Sequence, residues 1–144
     1  AWGPAGPRIV RCGGRAATIV GTAGADVLVG TPGPDVIAAL GGADVVRAHG
    51  GDDIVCLGSG ADRAHGGAGD DLILGEGGGD RIVGGRGDDI LGGGLGPDIL
   101  EGRAGNDRLL GQPGRDVLAG GAGFDIARGG PGADTCSAER TSSC

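Results

Sequence analysis

The chain of 144 residues has no Tyr, no Met and no Lys, and only one Trp and one Phe. These absences exclude a conventional core of large interlocking side chains. Twelve Arg lie scattered along the sequence against nineteen acids, for a net charge of -7, so no basic cluster for a phosphate backbone is visible and nucleic-acid binding is excluded. No apolar run approaches the roughly 20 residues of a membrane span. The four Cys lack the paired C-x-x-C spacing of a zinc site. What is abundant is glycine, at 38 of 144 residues. It does not fall at every third position, and it alternates with regularly placed aliphatics, which excludes collagen and disorder.

Aspartate stands at every ninth position thirteen times: Asp26, Asp35, Asp44, Asp53, Asp62, Asp71, Asp80, Asp89, Asp98, Asp107, Asp116, Asp125 and Asp134. A strict short period sustained over this length is the mark of a solenoid of stacked repeats. Glycine lies two residues before each of these aspartates, from Gly24 to Gly132. Five residues before, it is replaced only by Ala39, Ala48 and Leu57, in three consecutive units. Two residues after each aspartate comes an apolar or small residue: Leu28, Ile37, Val46, Val55, Ala64, Ile73, Ile82, Leu91, Leu100, Leu109, Leu118, Ala127 and Cys136. Because strand residues alternate faces, each unit reads as a glycine-rich turn ending in Asp, then a three-residue strand whose middle side chain enters the core. Stacked carboxylates demand cations.

The segments GGAGDDLIL (66–74) and GGRGDDILG (84–92) fit the pattern G-G-x-G-x-D-x-U-x. Over residues 17–137 the chain resembles the RTX, or haemolysin-type, calcium-binding nonapeptide repeat family, in the manner of its small secreted, actinobacterial-like members. The resemblance implies an all-β fold, a parallel β-roll solenoid with two repeats per turn, so that residues eighteen apart stack. It also implies Ca2+ between stacked turns, held by the thirteen column aspartates and by backbone carbonyls of the turns. In the full six-residue turns these glycines are Gly66 and Gly69, Gly84 and Gly87, Gly93 and Gly96, Gly120 and Gly123, and Gly129 and Gly132. Oxygen-only ligation suits a hard cation. Thr22, Thr31, Glu76, Arg103 and Gln112 depart from the pattern at its second glycine.

Folded at eighteen, the acids divide into two ladders. One runs Asp26, Asp44, Asp62, Asp80, Asp98, Asp116, Asp134; the other runs Asp35, Asp53, Asp71, Asp89, Asp107, Asp125. Six gaps and five gaps make eleven the ceiling on inter-turn sites. Carboxylates stacked at about 4.8 Å repel by roughly 3 kcal/mol per pair at an effective dielectric near 20. Folding is therefore expected to require the ion, and binding energy to serve as folding energy. The remaining aspartates, Asp52, Asp70 and Asp88, all precede members of the second ladder, and Asn106 continues their row. The second edge is thus expected to fill at lower calcium than the first.

Residues just after the aspartates should face outward, yet many are aliphatic. Val36, Ile54, Leu72 and Ile90 form a row beside Ala38, Leu74 and Leu110, suggesting homo-association or a covering segment. Solenoid ends need caps, and the boundaries read as a cap segment at 1–20, the roll at 21–137 and a tail at 138–144. RIV (8–10) and TIV (18–20) keep the aliphatic phase without the aspartate. Cys136 with Cys144 makes a natural small loop, and Cys12 with Cys56 pins the N-terminal segment over the roll, although four cysteines allow three connectivities. The chain begins at Ala1 rather than Met, which reads as a processed form. An even cysteine count and an acidic chain suit a secreted, extracellular protein.

His49 and His65 fall at different phases of the repeat and read as solvated turn residues rather than a metal pair. Ser59, Asp62 and His65 lack a nucleophile elbow, so no enzyme activity is expected. The rival function is a structural or adhesive subunit, self-associating or filament-forming and stiffened by Ca2+. A surface-binding solenoid would need a regular Thr row, which is missing.

Overall fold

A computed structural model describes residues 9–144. Residues 1–8, which include Arg8 of the RIV segment and most of what precedes the hairpin, lie outside the described residues. The described chain contains seventeen β-strands and no helix, so no helix is long and apolar enough to cross a membrane.

All but two strands belong to two parallel sheets, with strand order stepping by one full turn of the solenoid. Seven strands, beginning at Val27–Val29 and ending at Thr135–Ser137, form one sheet; eight, from Ile19–Val20 to Arg140–Ser142, form the other. Neighbours are eighteen residues apart in register, as in Ile37 with Val55 and Ile82 with Leu100, except in the last pair, where Ile126 meets Arg140. Two nonapeptides therefore complete each turn, and the architecture is a parallel β-roll.

The core is a single file of side chains between the sheets. Ile37, Val46, Val55, Ile73, Ile82, Leu91, Leu100, Leu109 and Leu118 are buried, with the smaller Ala64 and Ala127 in the same file. Leu28 and Cys136, at the two ends of that column, are only partly buried because each has a neighbour on one side. Ala39, Ala48 and Leu57 join the core as well, so the three units lacking the early glycine use that position for packing.

One expectation changes in detail. Strands of two or three residues make up one sheet, but in the other Arg63–Ala68, Arg81–Arg86, Ile99–Ala104 and Val117–Ala122 run for six. Their pairing continues through the glycine positions, as in Gly67 with Gly85 and Ala68 with Arg86. The opposite turns keep only isolated bridges, such as Ser59 with Gly41 and Gly77.

Both ends are tied. Arg11–Cys12 and Arg15–Ala16 form an antiparallel hairpin, joined to the roll by Cys12–Cys56 with a Cα separation of 5.7 Å. Cys12, Ala38 and Cys56 make a second buried cluster, against which Val10, Val36, Ile54 and Leu74 pack. The N-terminal part of this sheet's aliphatic row is thus covered by a segment of its own chain, while Ile90 stays exposed. At the other end Cys136–Cys144 closes the final loop, with a Cα separation of 5.8 Å.

Candidate cation-binding ladders

The short strand after each turn fixes where the aspartate points. From Asp44 to Asp134, each Oδ1 accepts the backbone N–H of the aspartate eighteen residues earlier, at 2.7–2.9 Å. There is one such bond per inter-turn gap, and together they fill both ladders. The other oxygen, Oδ2, is buried without a hydrogen-bond partner in all eleven of these residues. An unsatisfied buried carboxylate oxygen is costly, and its repetition at every rung calls for a ligand.

The space beside these oxygens is shaped by missing side chains. A Cβ on Gly66 would meet Asp71 Oδ2 and the Gly84 carbonyl oxygen together, and one on Gly75 would meet Asp80 Oδ2 and the Gly93 carbonyl oxygen. The same pairing recurs at Gly102, with Asp107 and Gly120, and at Gly111, with Asp116 and Gly129. Each wedge brings a carboxylate oxygen to a carbonyl oxygen, the donor types a hard cation takes. Among the described residues no three His, Cys, Asp or Glu side chains converge, so a bound cation must draw on backbone carbonyls. The residues fit calcium on those terms.

The electrostatics agree. Burial raises the carboxyls of Asp80 and Asp89 to about 7, opposed by a backbone N–H and reinforced by neighbouring ladder carboxylates. Asp53 and Asp98 are raised to about 6 by the same causes in the same order. Asp62, Asp71, Asp107 and Asp116 shift upward too, again chiefly through burial. A cation removes the penalty on the charged form.

The first rung of each ladder is built differently. Thr22 N–H donates to Asp26 Oδ2 at 2.6 Å and its hydroxyl lies 3.0 Å from the same oxygen; Gly24 N–H donates to that hydroxyl at 3.1 Å. Thr31 repeats the arrangement with Asp35 and Gly33, at 2.6, 3.1 and 3.2 Å. The cause is steric. At the same place in later turns Leu40, His49, Glu76, Arg103 and Gln112 adopt left-handed backbone angles, with φ between 71° and 80°. A β-branched Thr resists that region, so its turn closes on its own hydroxyl.

Asp52, Asp70, Asp88 and Asn106 form a separate exposed ladder. Asp52 Oδ1 accepts Asp70 N–H, Asp70 Oδ1 accepts Asp88 N–H, and Asp88 Oδ1 accepts Asn106 N–H, each at 2.8 Å. These acids lie beside the second edge and push up the carboxyls of Asp71, Asp89 and Asp107.

Of the remaining sequence-level candidates, Ser59 lies in a turn bridge, while Asp62 Oδ1 is engaged by Asp44 N–H. His49 and His65 line one shallow depression with Arg47 on the outer sheet face.

A family description settles the class of the repeats. The RTX calcium-binding nonapeptide repeat matches in four copies, over residues 20–55, 57–91, 92–127 and 110–140. The chain belongs to this family. No curated protein matches it in sequence. The matched residues contain all eleven aspartates whose Oδ2 is buried without a partner.

Proposed function

We propose that this RTX chain is an extracellular calcium-binding β-roll without catalytic activity, whose folding is coupled to ion uptake. The observation that carries the reading is the row of eleven buried Oδ2 atoms without partners, one for each inter-turn gap. The column aspartates from Asp44 to Asp134 supply the charged oxygens, and turn carbonyls such as those of Gly84 and Gly93 supply neutral ones. Asp26 and Asp35 belong to the caps, because Thr22 and Thr31 already satisfy their Oδ2 atoms.

The sites are graded. Glycine lies five residues before Asp71 and each later column aspartate, whereas Ala39, Ala48 and Leu57 precede Asp44, Asp53 and Asp62. An apolar side chain at that place makes the three N-terminal gaps the weakest. The exposed acids Asp52, Asp70 and Asp88 favour the second edge, so the gaps around Asp71, Asp89 and Asp107 fill first.

Two disulfides and a net charge of -7 support an oxidising, extracellular setting. The self-associating structural reading has less support, since the hairpin packs over part of the aliphatic row that suggested it. Calorimetric titration of ion-stripped protein tests the assignment. The expected uptake is more than five and at most eleven Ca2+ per chain, and Asp80→Asn lowers it. Uptake of one ion or none overturns the reading.

A further inference from the structure

The eighteen-residue register gathers onto one sheet face arginines that look scattered along the chain. Val45–Arg47, Arg63–Ala68, Arg81–Arg86 and Ile99–Ala104 carry Arg47, Arg63, Arg81, Arg86 and Arg103, all exposed. On these four strands Glu101 is the single acid, in a chain of net charge -7. Arg81 and Arg103 share it, at 3.1 and 3.6 Å.

Arg63 and Arg81 stand directly opposite each other on neighbouring parallel strands. At a strand spacing of about 4.8 Å, like charges in register weaken the pairing unless an anion lies over them. His65, in the middle of the face, holds its proton less readily than usual, first through burial and then through Arg103, Arg47 and His49. Three shallow depressions of about 240, 430 and 440 Å³ meet at His65. In the first, Val45 and Val83 form an apolar floor and Arg47, Arg63 and Arg81 a cationic rim.

We propose that this face binds an anionic polysaccharide, with carboxylate or sulfate groups on the arginine rim and sugar C–H faces over Val45 and Val83. Guanidinium forks match both groups in bidentate geometry. The four strands carry no Trp, Tyr or Phe, and His65 is their one aromatic ring, which disfavours single-stranded nucleic acid, whose successive bases need a row of stacking partners, and a folded protein, whose hot spots join Trp and Tyr to Arg. Charge complementarity over a flat, repetitive surface favours a repetitive anionic chain. The inference needs the folded roll alone and stands apart from the ion reading.

The test is affinity chromatography of the full chain in calcium-containing buffer, on immobilised heparin, polygalacturonate and neutral dextran. The two charged resins separate sulfate from carboxylate recognition. Retention is expected on at least one of them and not on dextran, with release by salt. The R63Q/R81Q variant should lose at least tenfold in affinity, whereas R108Q/R128Q on the opposite sheet stays within twofold. Circular dichroism checks that each variant is folded, and R47Q/R86Q replaces the first pair should that pair misfold. No retention on either charged resin, equal loss from both faces, or equally strong retention on DNA-cellulose overturns the proposal.

Discussion

The backbone N–H of Asp125 donates to Oε2 of Glu139 at 2.8 Å, fourteen residues on rather than eighteen. Residue 143, where the column's period would place the next rung of this ladder, is Ser. The final turn is shortened to match, and Ile126 pairs with Arg140. Glu139 therefore takes the place of a rung aspartate above Asp125. The bond from Asp125 N–H holds its carboxyl below the usual glutamate range. A lowered carboxyl stabilises above its unfolded value and stops doing so as pH falls through its folded value. Glu139→Ala should speed amide exchange at Ile126–Arg128 and Arg140–Ser142, leaving the central strands unchanged. Hydrogen exchange read by mass spectrometry checks this.

Thr22 and Thr31 close the first two turns without an ion. Replacing both with Val removes the hydroxyl bonds to Asp26 and Asp35 and should destabilise the N-terminal turns by about 1 kcal/mol each. The number of calcium ions bound should stay the same. Asp26→Asn should likewise leave the count unchanged, in contrast to Asp80→Asn, which lowers it. Calorimetric stoichiometry separates the two classes of aspartate.

The exposed acids of the second edge act at a distance. Asp70→Asn with Asp88→Asn removes two negative charges near Asp71, Asp89 and Asp107 while keeping a side-chain oxygen for the ladder bonds. Calcium affinity should fall severalfold with the stoichiometry intact, and the loss should shrink in high salt, because exposed charges are screened. Titrations at two ionic strengths read both effects.

Acid should partly replace the ion. In the ion-free protein, burial lifts Asp53 and Asp98 to about 6 and Asp80 and Asp89 to about 7. An unfolded aspartate titrates near 3.9. A carboxyl raised on folding stabilises the folded form at low pH and ceases to do so as pH rises through its folded value. With chelator present, β-structure should therefore grow as pH falls from about 8 to 5. Circular dichroism across that range follows it.

The column of aspartates and the file from Ile37 to Ala127 were legible because a nine-residue period specifies both the turn and the inward position. The eighteen-residue stacking came from the family resemblance, and it held wherever two full units separate paired strands. Glu139 was not legible, since its role depends on a shortened turn that breaks the period. The threonines were visible only as departures from glycine; their closure on Asp26 and Asp35 follows from the backbone angles that β-branching resists. The arginine face was within reach, because Arg63 and Arg81 are eighteen apart. Along the chain the arginines are scattered; only the register across strands brings them together.

Far-UV circular dichroism of metal-stripped protein at pH 8, before and after calcium addition, tests the central claim most directly. The account predicts a largely disordered spectrum that becomes β-rich on saturation with calcium, with disulfides intact throughout. A β-rich spectrum in protein shown to be free of metal, unchanged when calcium is added, would contradict it.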